Sequence, residues 1–268
     1  MARRLALLLE YDGSGFSGSQ LQPERRTVQG VVEEAVRALT GESPRVAFAG
    51  RTDAGVHAIG QVGAFDTEST LEVKTVQRAL NHLLPEDVAV RAVAEVAAGF
   101  DPRRHAVGRT YRYAIRHGAP RSPLRRAQEW HRGGALNIEA MARAAATLPR
   151  EVRDWAPFAG PVPDGYPTVR TLRRCDVQRA GQHRVMVMME ADGFLPHQVR
   201  RTVGALVRVG TGGSTIEEFA ALIEGAPGSA GPTAPSLGLV LCSVAYPPGV
   251  VCWSNEPSDE GSSEEVAR

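Results

Sequence analysis

The sequence predicts an α+β fold built as two halves of one chain. Three observations carry that prediction. The first hundred residues alternate apolar runs with two stretches of helical periodicity, in the order β-α-β-β-α-β. The second half again mixes strand-like alternation with helical spacing, in a different order. At 268 residues, 43% hydrophobic and 23% charged, the chain can bury a core as one large domain or two ordinary ones.

Leu5 to Tyr11 is apolar and strand-like. The run stops at Glu10, well short of a signal-peptide core, and no apolar stretch approaches the ~20 residues that span a bilayer. Thr27 caps a helix whose apolar positions Val28, Val31, Val32, Ala35, Val36 and Leu39 recur at helical spacing, with Gly41 as its stop. Arg45 to Ala49 and Gln61 to Asp66 read as strands flanking a glycine-bounded loop. Val73, Val76, Leu80, Leu83 and Leu84 mark a second helix, broken by Pro85. Val88 to Val96 is the next strand, which completes a ferredoxin-like split arrangement also used by RNA-recognition folds.

Arg109 to Arg116 alternates clearly, with Tyr111, Tyr113 and Ile115 on one face and Arg112 and Arg116 on the other. Asn137 to Leu148 reads as a helix. Leu172 to Gln178 and Arg184 to Glu190 form a hairpin across Ala180 and Gly181. Gln198 to Val209 is helical, Ser214 with Glu217 makes a capping box for a short helix ending near Gly225, and Leu237 to Tyr246 is a closing strand. The organisation is therefore an N-terminal half over residues 1–107, a C-terminal half over 108–247, and an acidic tail over 248–268. Composition predicts disorder for that tail, with Val250 to Trp253 as the stretch able to dock.

Gly13, Gly15 and Gly18 spell the GxGxxG fingerprint directly after a strand. Dinucleotide binding needs a helix to start there, so that its N-terminal amides meet a pyrophosphate. Ser19 to Arg26 is polar, contains Pro23 and lacks helical periodicity. A polar loop is the better description.

Charge is unevenly placed. The net charge of +1 divides into −4 for the tail from Pro248 and +5 for the rest. Lys74 is the only lysine. Between Arg103 and Arg132 lie nine arginines, three histidines and a single acid, Glu129. Guanidinium groups grip phosphate bidentately and stack on bases, so this stretch points to an anionic partner. Arginine-rich coding explains the overall preference equally well, but not the clustering. Cys175, Cys242 and Cys252 are far apart, which argues against a zinc site or a disulfide scaffold. A cytoplasmic protein is the default.

Chemistry concentrates in Gly50-Arg51-Thr52-Asp53-Ala54-Gly55-Val56-His57-Ala58. Glycines on both sides allow a tight turn and close approach to a ligand. On spacing alone, Asp53 capping its own loop as an Asx-turn is the more economical reading. Other segments change that balance. Tyr11-Asp12-Gly13-Ser14 with Phe16, Gly18, Gln20 and Gln22, then Gly60-Gln61-Val62, Ala79-Leu80-Asn81 and Leu84-Pro85, form ordered motifs. They continue with Phe100, Arg103 and Arg109-Thr110-Tyr111-Arg112-Tyr113. Phe194-Leu195, Val199-Arg200, Thr233-Ala234-Pro235, Gly238-Leu239 and Tyr246-Pro247 complete the set. Together they resemble the tRNA pseudouridine synthase A family from about Leu5 to Pro247.

That resemblance implies a pseudouridine synthase fold, two α+β halves around a central, mostly antiparallel sheet, with the active site in a basic cleft between them. It implies a homodimer acting on the tRNA anticodon stem-loop, converting uridine to pseudouridine at positions 38, 39 and 40 without metal or cofactor. By the same resemblance Asp53 is the catalytic carboxylate and Arg200 its basic partner. Tyr111 stacks on the target base, and its hydroxyl is placed for proton transfer. Leu195 is an apolar wall and Arg51 a contact to the flipped nucleotide, with Arg103 and Arg109 among the substrate-binding residues. His57 reads as structural or RNA-contacting. The rival reading is a non-catalytic RNA-binding protein with the same fold. A nucleotide-dependent oxidoreductase is the other rival, resting on the glycine motif alone. The chain departs from the family at Ser19, where a tryptophan is usual, and at Pro196, His197, Gln198 and Arg201.

Overall fold

The computed structural model describes residues 2–253. Backbone contacts divide the chain into two units, one running to Val107 and resuming at Leu241, the other Gly108–Val240.

The first unit contains β1 (Arg3–Tyr11), α1 (Val28–Thr40), β2 (Ala47–Phe48), β3 (His57–Thr67), α2 (Val73–Leu83) and β4 (Val88–Val96). β1 lies between β4 and β3, antiparallel to both. That central position explains the unbroken apolar run: Leu5, Ala6, Leu7 and Leu9 are all buried, so both faces of the strand are covered. α1 begins and ends as its sequence predicts. The Thr27 hydroxyl accepts a hydrogen bond from the Gly30 N–H at 3.2 Å, and Gly41 closes the helix at φ 74° in the left-handed region.

Two strand boundaries differ from expectation. β2 shrinks to two residues because the chain before it is held from the side, the Val46 N–H donating to Glu33 Oε1 at 3.0 Å. β3 starts four residues earlier than predicted, at His57. Gly60, which reads as a loop residue, is a strand residue with a packing duty. A β-carbon there would lie 2.2 Å from the Cys242 carbonyl oxygen, so only glycine admits the neighbouring backbone.

The second unit contains β5 (Gly108–His117), β6 (Trp130–Arg132), α3 (Ile138–Ala146), β7 (Val152–Asp154), β8 (Val169–Arg179), β9 (Arg184–Ala191), α4 (Gln198–Gly210) and α5 (Ile216–Ala221). Its sheet runs β5-β9-β8-β7 with antiparallel pairing, and β6 adds to β5 in parallel. β6 and β7 have three residues each, too short for any periodicity to announce them. Tyr113 and Ile115 are fully buried on the expected face of β5. The short helix is capped one residue later than predicted: Thr215 and Glu218 form the box, while the Ser214 hydroxyl bonds the Glu218 carboxylate. Pairing fixes the register here, since Thr215 Oγ1 accepts the Glu218 N–H at 3.1 Å and Glu218 Oε2 accepts the Thr215 N–H at 2.9 Å.

β10 (Leu239–Ala245) lies beside β3, and the chain from Leu241 belongs with the first unit. Tyr246 packs edge-on against Phe100 at 5.3 Å and donates its phenol hydrogen to the Pro102 carbonyl at 2.7 Å. Val250, Val251 and Trp253 then pack on a core of Ala6, Ala49, Val62, Ala64 and Phe100. The stretch expected to dock is therefore docked. The remainder of the predicted acidic tail, 254–268, lies outside the described residues. No helix among the described residues is long and apolar enough to cross a membrane.

Candidate active site

The loop between β2 and β3 carries Arg51 and Asp53. Asp53 opens a turn in which the Val56 N–H donates to its carbonyl at 3.1 Å, and Gly55 sits at φ 79°. A positive φ at the third residue is what a type II turn requires, which explains the glycine. Asp53 is half-buried and Arg51 exposed.

A polar frame holds this loop from beneath. The Thr52 N–H donates to Ser19 Oγ at 2.8 Å, and the Ser19 N–H returns a bond to the Thr52 carbonyl at 3.0 Å. Thr52 Oγ1 meets the Tyr11 phenol at 2.8 Å, and Gln61 Nε2 donates to the Gly50 carbonyl at 2.8 Å. Burial pushes the Tyr11 phenol up to about 12, against the opposing hydrogen bonds to Thr52 and Gln61, so it is a neutral structural group. Ser19 thus gives the candidate loop two hydrogen bonds, one through its hydroxyl and one through its backbone N–H. Nothing in its sequence context announces this pairing across 33 residues.

The GxGxxG motif has a related use. Gly13–Gly15 is one turn of 3-10 helix, and no longer helix starts until Val28. A β-carbon at Gly13 would stand 2.0 Å from the Val56 carbonyl oxygen, and one at Gly18 would stand 3.0 Å from that of Thr52. These glycines let the β1 loop press against the Asp53 loop. His57 is buried beside them, with Nδ1 3.1 Å from the Gly13 nitrogen and 3.1 Å from Asp12 Oδ1. A neutral ring accepts the Gly13 N–H there, and a ring protonated at Nδ1 faces the carboxylate instead. Its position is that of a brace for the turn.

The second unit carries the other expected residues. Tyr111, on β5, is buried, with its ring edge-on to Phe194 at 5.3 Å and 87°. Leu195 is buried in the loop between β9 and α4. That loop is tied at both ends: the Leu195 N–H donates to Gln198 Oε1 at 2.8 Å, and the Gln198 N–H donates to the Leu195 carbonyl at 3.1 Å. His197, at φ 59°, adopts a left-handed conformation just before α4, and its ring lies against Gly160. Arg200 sits in the first turn of α4, with Nε donating to the Ala234 carbonyl at 2.8 Å. Arg109 Nη1 donates to the Asp192 carbonyl at 2.7 Å, joining β5 to the loop after β9. Phe194, to which the sequence assigns no role, is the aromatic neighbour of the Tyr111 ring.

Arg51, Asp53 and Arg103 are thus carried by the first unit, and Arg109, Tyr111, Leu195 and Arg200 by the second. Arg103 is exposed in the turn after β4, its backbone N–H and that of Arg104 both donating to Asp101 Oδ1. Among the described residues no group of three His, Cys, Asp or Glu side chains is arranged to hold a metal ion.

A mixed α+β protein with mostly antiparallel pairing and a braced carboxylate loop is the class these observations define. A family profile described as tRNA pseudouridine synthase matches residues 8–103 and 153–247. The tRNA pseudouridine synthase A of Geobacter sulfurreducens is 44% identical over 91% of this chain and 100% of its own length. That of Chloroflexus aurantiacus is 43% identical over 96% and 93%. That of Myxococcus xanthus is 43% identical over 92% and 93%. The chain belongs to the tRNA pseudouridine synthase family.

Proposed function

We propose that this protein isomerises uridine to pseudouridine in transfer RNA, with Asp53 as the catalytic carboxylate. The observation that supports the assignment of Asp53 is its setting: a half-buried acid at the head of a turn whose backbone is fixed by Ser19, Gln61 and a glycine hinge. Preorganised placement of a reacting group is worth a large part of a barrier, about 7–11 kcal/mol at the upper limit.

The chemistry asks little else of the protein. The bond from ribose to uracil N1 breaks, the base turns, and a new bond forms through C5 as the C5 hydrogen leaves and N1 gains one. Atoms and electrons balance without an oxidant or a transferred group. A carboxylate is competent as nucleophile or base in such a sequence. On this reading Tyr111 stacks on the uracil, Leu195 walls the pocket and Arg200 is the basic residue of the site. Arg51 compensates part of the cost of extruding the nucleotide. Uridines 38, 39 and 40 of the anticodon stem-loop are the proposed targets, and a cytoplasmic homodimer is the proposed working form.

Tritium release from transfer RNA labelled at uracil C5 tests the assignment. Asp53→Ala is expected to lose at least about a hundredfold in turnover, as removal of an acid–base group does. Its RNA affinity should stay within a few-fold. Retained turnover in that variant would remove Asp53 from the chemistry. Tight RNA binding by the unaltered protein with no release at all would favour the binding-only alternative.

A further inference from the structure

A cleft of about 230 Å³ opens beside the Asp53 loop, wholly within the first unit. It is lined by Arg45, Arg51 and Arg103, with Ser19, Gln29 and Phe48 among its other walls. Drug-sized ligands occupy pockets of about 300–1,000 Å³, so this one suits a smaller group.

Its walls are built before any ligand arrives. Glu33, from α1, bonds Gln29 Nε2 at 2.8 Å and the Val46 N–H at 3.0 Å, and lies 3.4 Å from Arg45 Nη1. Gln29 Oε1 accepts the Leu21 N–H at 2.9 Å. Asp101 fixes the backbone of Arg103 through its N–H at 2.8 Å. Arg51 makes no hydrogen bond or ion pair among the described residues. Phe48 is half-buried, and its ring lies over Gly63, where a β-carbon would stand 3.0 Å from a ring carbon. A glycine thus gives that aromatic ring a flat backing.

Guanidinium groups around a supported aromatic face are the elements with which proteins hold single-stranded RNA, the ring stacking on a base and the cations meeting phosphate. We propose that this cleft binds one nucleotide adjacent to the reacting uridine, its base on Phe48 and its phosphate between Arg45 and Arg103. The inference rests on RNA being the substrate, as proposed above. Arg51 then belongs to both sites, two residues from Asp53 and on the cleft wall, which couples seating of the neighbour to the target's entry.

The test is a binding measurement that needs no turnover. Anticodon stem-loop RNAs with single abasic nucleotides, one position at a time, are titrated against the full chain and against Phe48→Leu. One position other than the reacting uridine should lose about tenfold in affinity with the unaltered protein, within the range of one base–aromatic stack. That loss should largely vanish in Phe48→Leu. Should Phe48→Leu fail to fold, Arg45→Ala gives the second reading, with weaker RNA binding and a shallower salt dependence expected. Identical abasic profiles for the two proteins, or a loss confined to the reacting uridine, would overturn the proposal. Absence of tritium release from the unaltered protein would refute the catalytic reading alone and leave this binding result intact.

Discussion

Gly13 and Gly18 carry more constraint than their sequence suggests. Each marks a place where the loop after β1 touches the backbone of the Asp53 loop, and at Gly13 the carbonyl of Val56 leaves no room for any side chain. Gly13→Ala should therefore cost about 3 kcal/mol, the upper part of the range for overpacking, and lower turnover by displacing Asp53. Chemical denaturation and tritium release on the same preparation check both effects.

At the same scale, Asp12 predicts a pH dependence. Burial pushes its carboxyl up, but hydrogen bonds from Ser14 and the nearby His57 outweigh that and hold it below the usual carboxylate range. A depressed folded value stabilises the protein above the unfolded value near 3.9, and the contribution disappears as pH falls through the folded value. The stability gap between the protein and Asp12→Asn should close progressively as pH falls below about 4. A gap that widens toward acid would contradict the sign.

At the scale of elements, caps and short pairings decide boundaries that periodicity leaves open. α5 has only six residues, so its first turn is most of the helix. Thr215→Ala should cost about 1 kcal/mol by urea denaturation, and Ser214→Ala a small fraction of that. Equal losses would mean that the serine shares the cap. The β9–α4 connection works differently. Gln198 closes it through its side chain and backbone together, and His197 takes a left-handed conformation that non-glycine residues rarely adopt. Those bonds set the direction in which Leu195 and Arg200 leave the backbone. Gln198 and His197 are therefore holding Leu195 and Arg200, two residues of the proposed site, in place.

For the whole molecule, the segment after β10 and the distribution of arginine make the two main predictions. Val250, Val251 and Trp253 cover the core cluster of Ala6, Val62 and Phe100. A chain ending after Pro248 should lose about 1–3 kcal/mol relative to one ending after Trp253, given partial burial of three apolar side chains. Calorimetric melting of the two chains decides it. RNA affinity should fall steeply between low and moderate salt because arginine–phosphate contacts release counterions. A flat response would remove the Arg103 to Arg132 stretch from the interface.

The amino-acid sequence by itself determined the strands and helices with full periodicity, such as β1, α1 and β5, since burial on one or both faces is written directly in their apolar spacing. It also determined the family, because that rests on ordered short motifs carried by the chain. The tertiary structure alone decided what Ser19, Thr52 and Gln61 do, why Gly60 sits in a strand, and that Phe48 and three arginines share one cleft. Those facts depend on residues tens of positions apart meeting at single atoms. Hydrogen bonds and steric exclusion act over a few ångströms of space, whereas periodicity reports only which side of an element faces water.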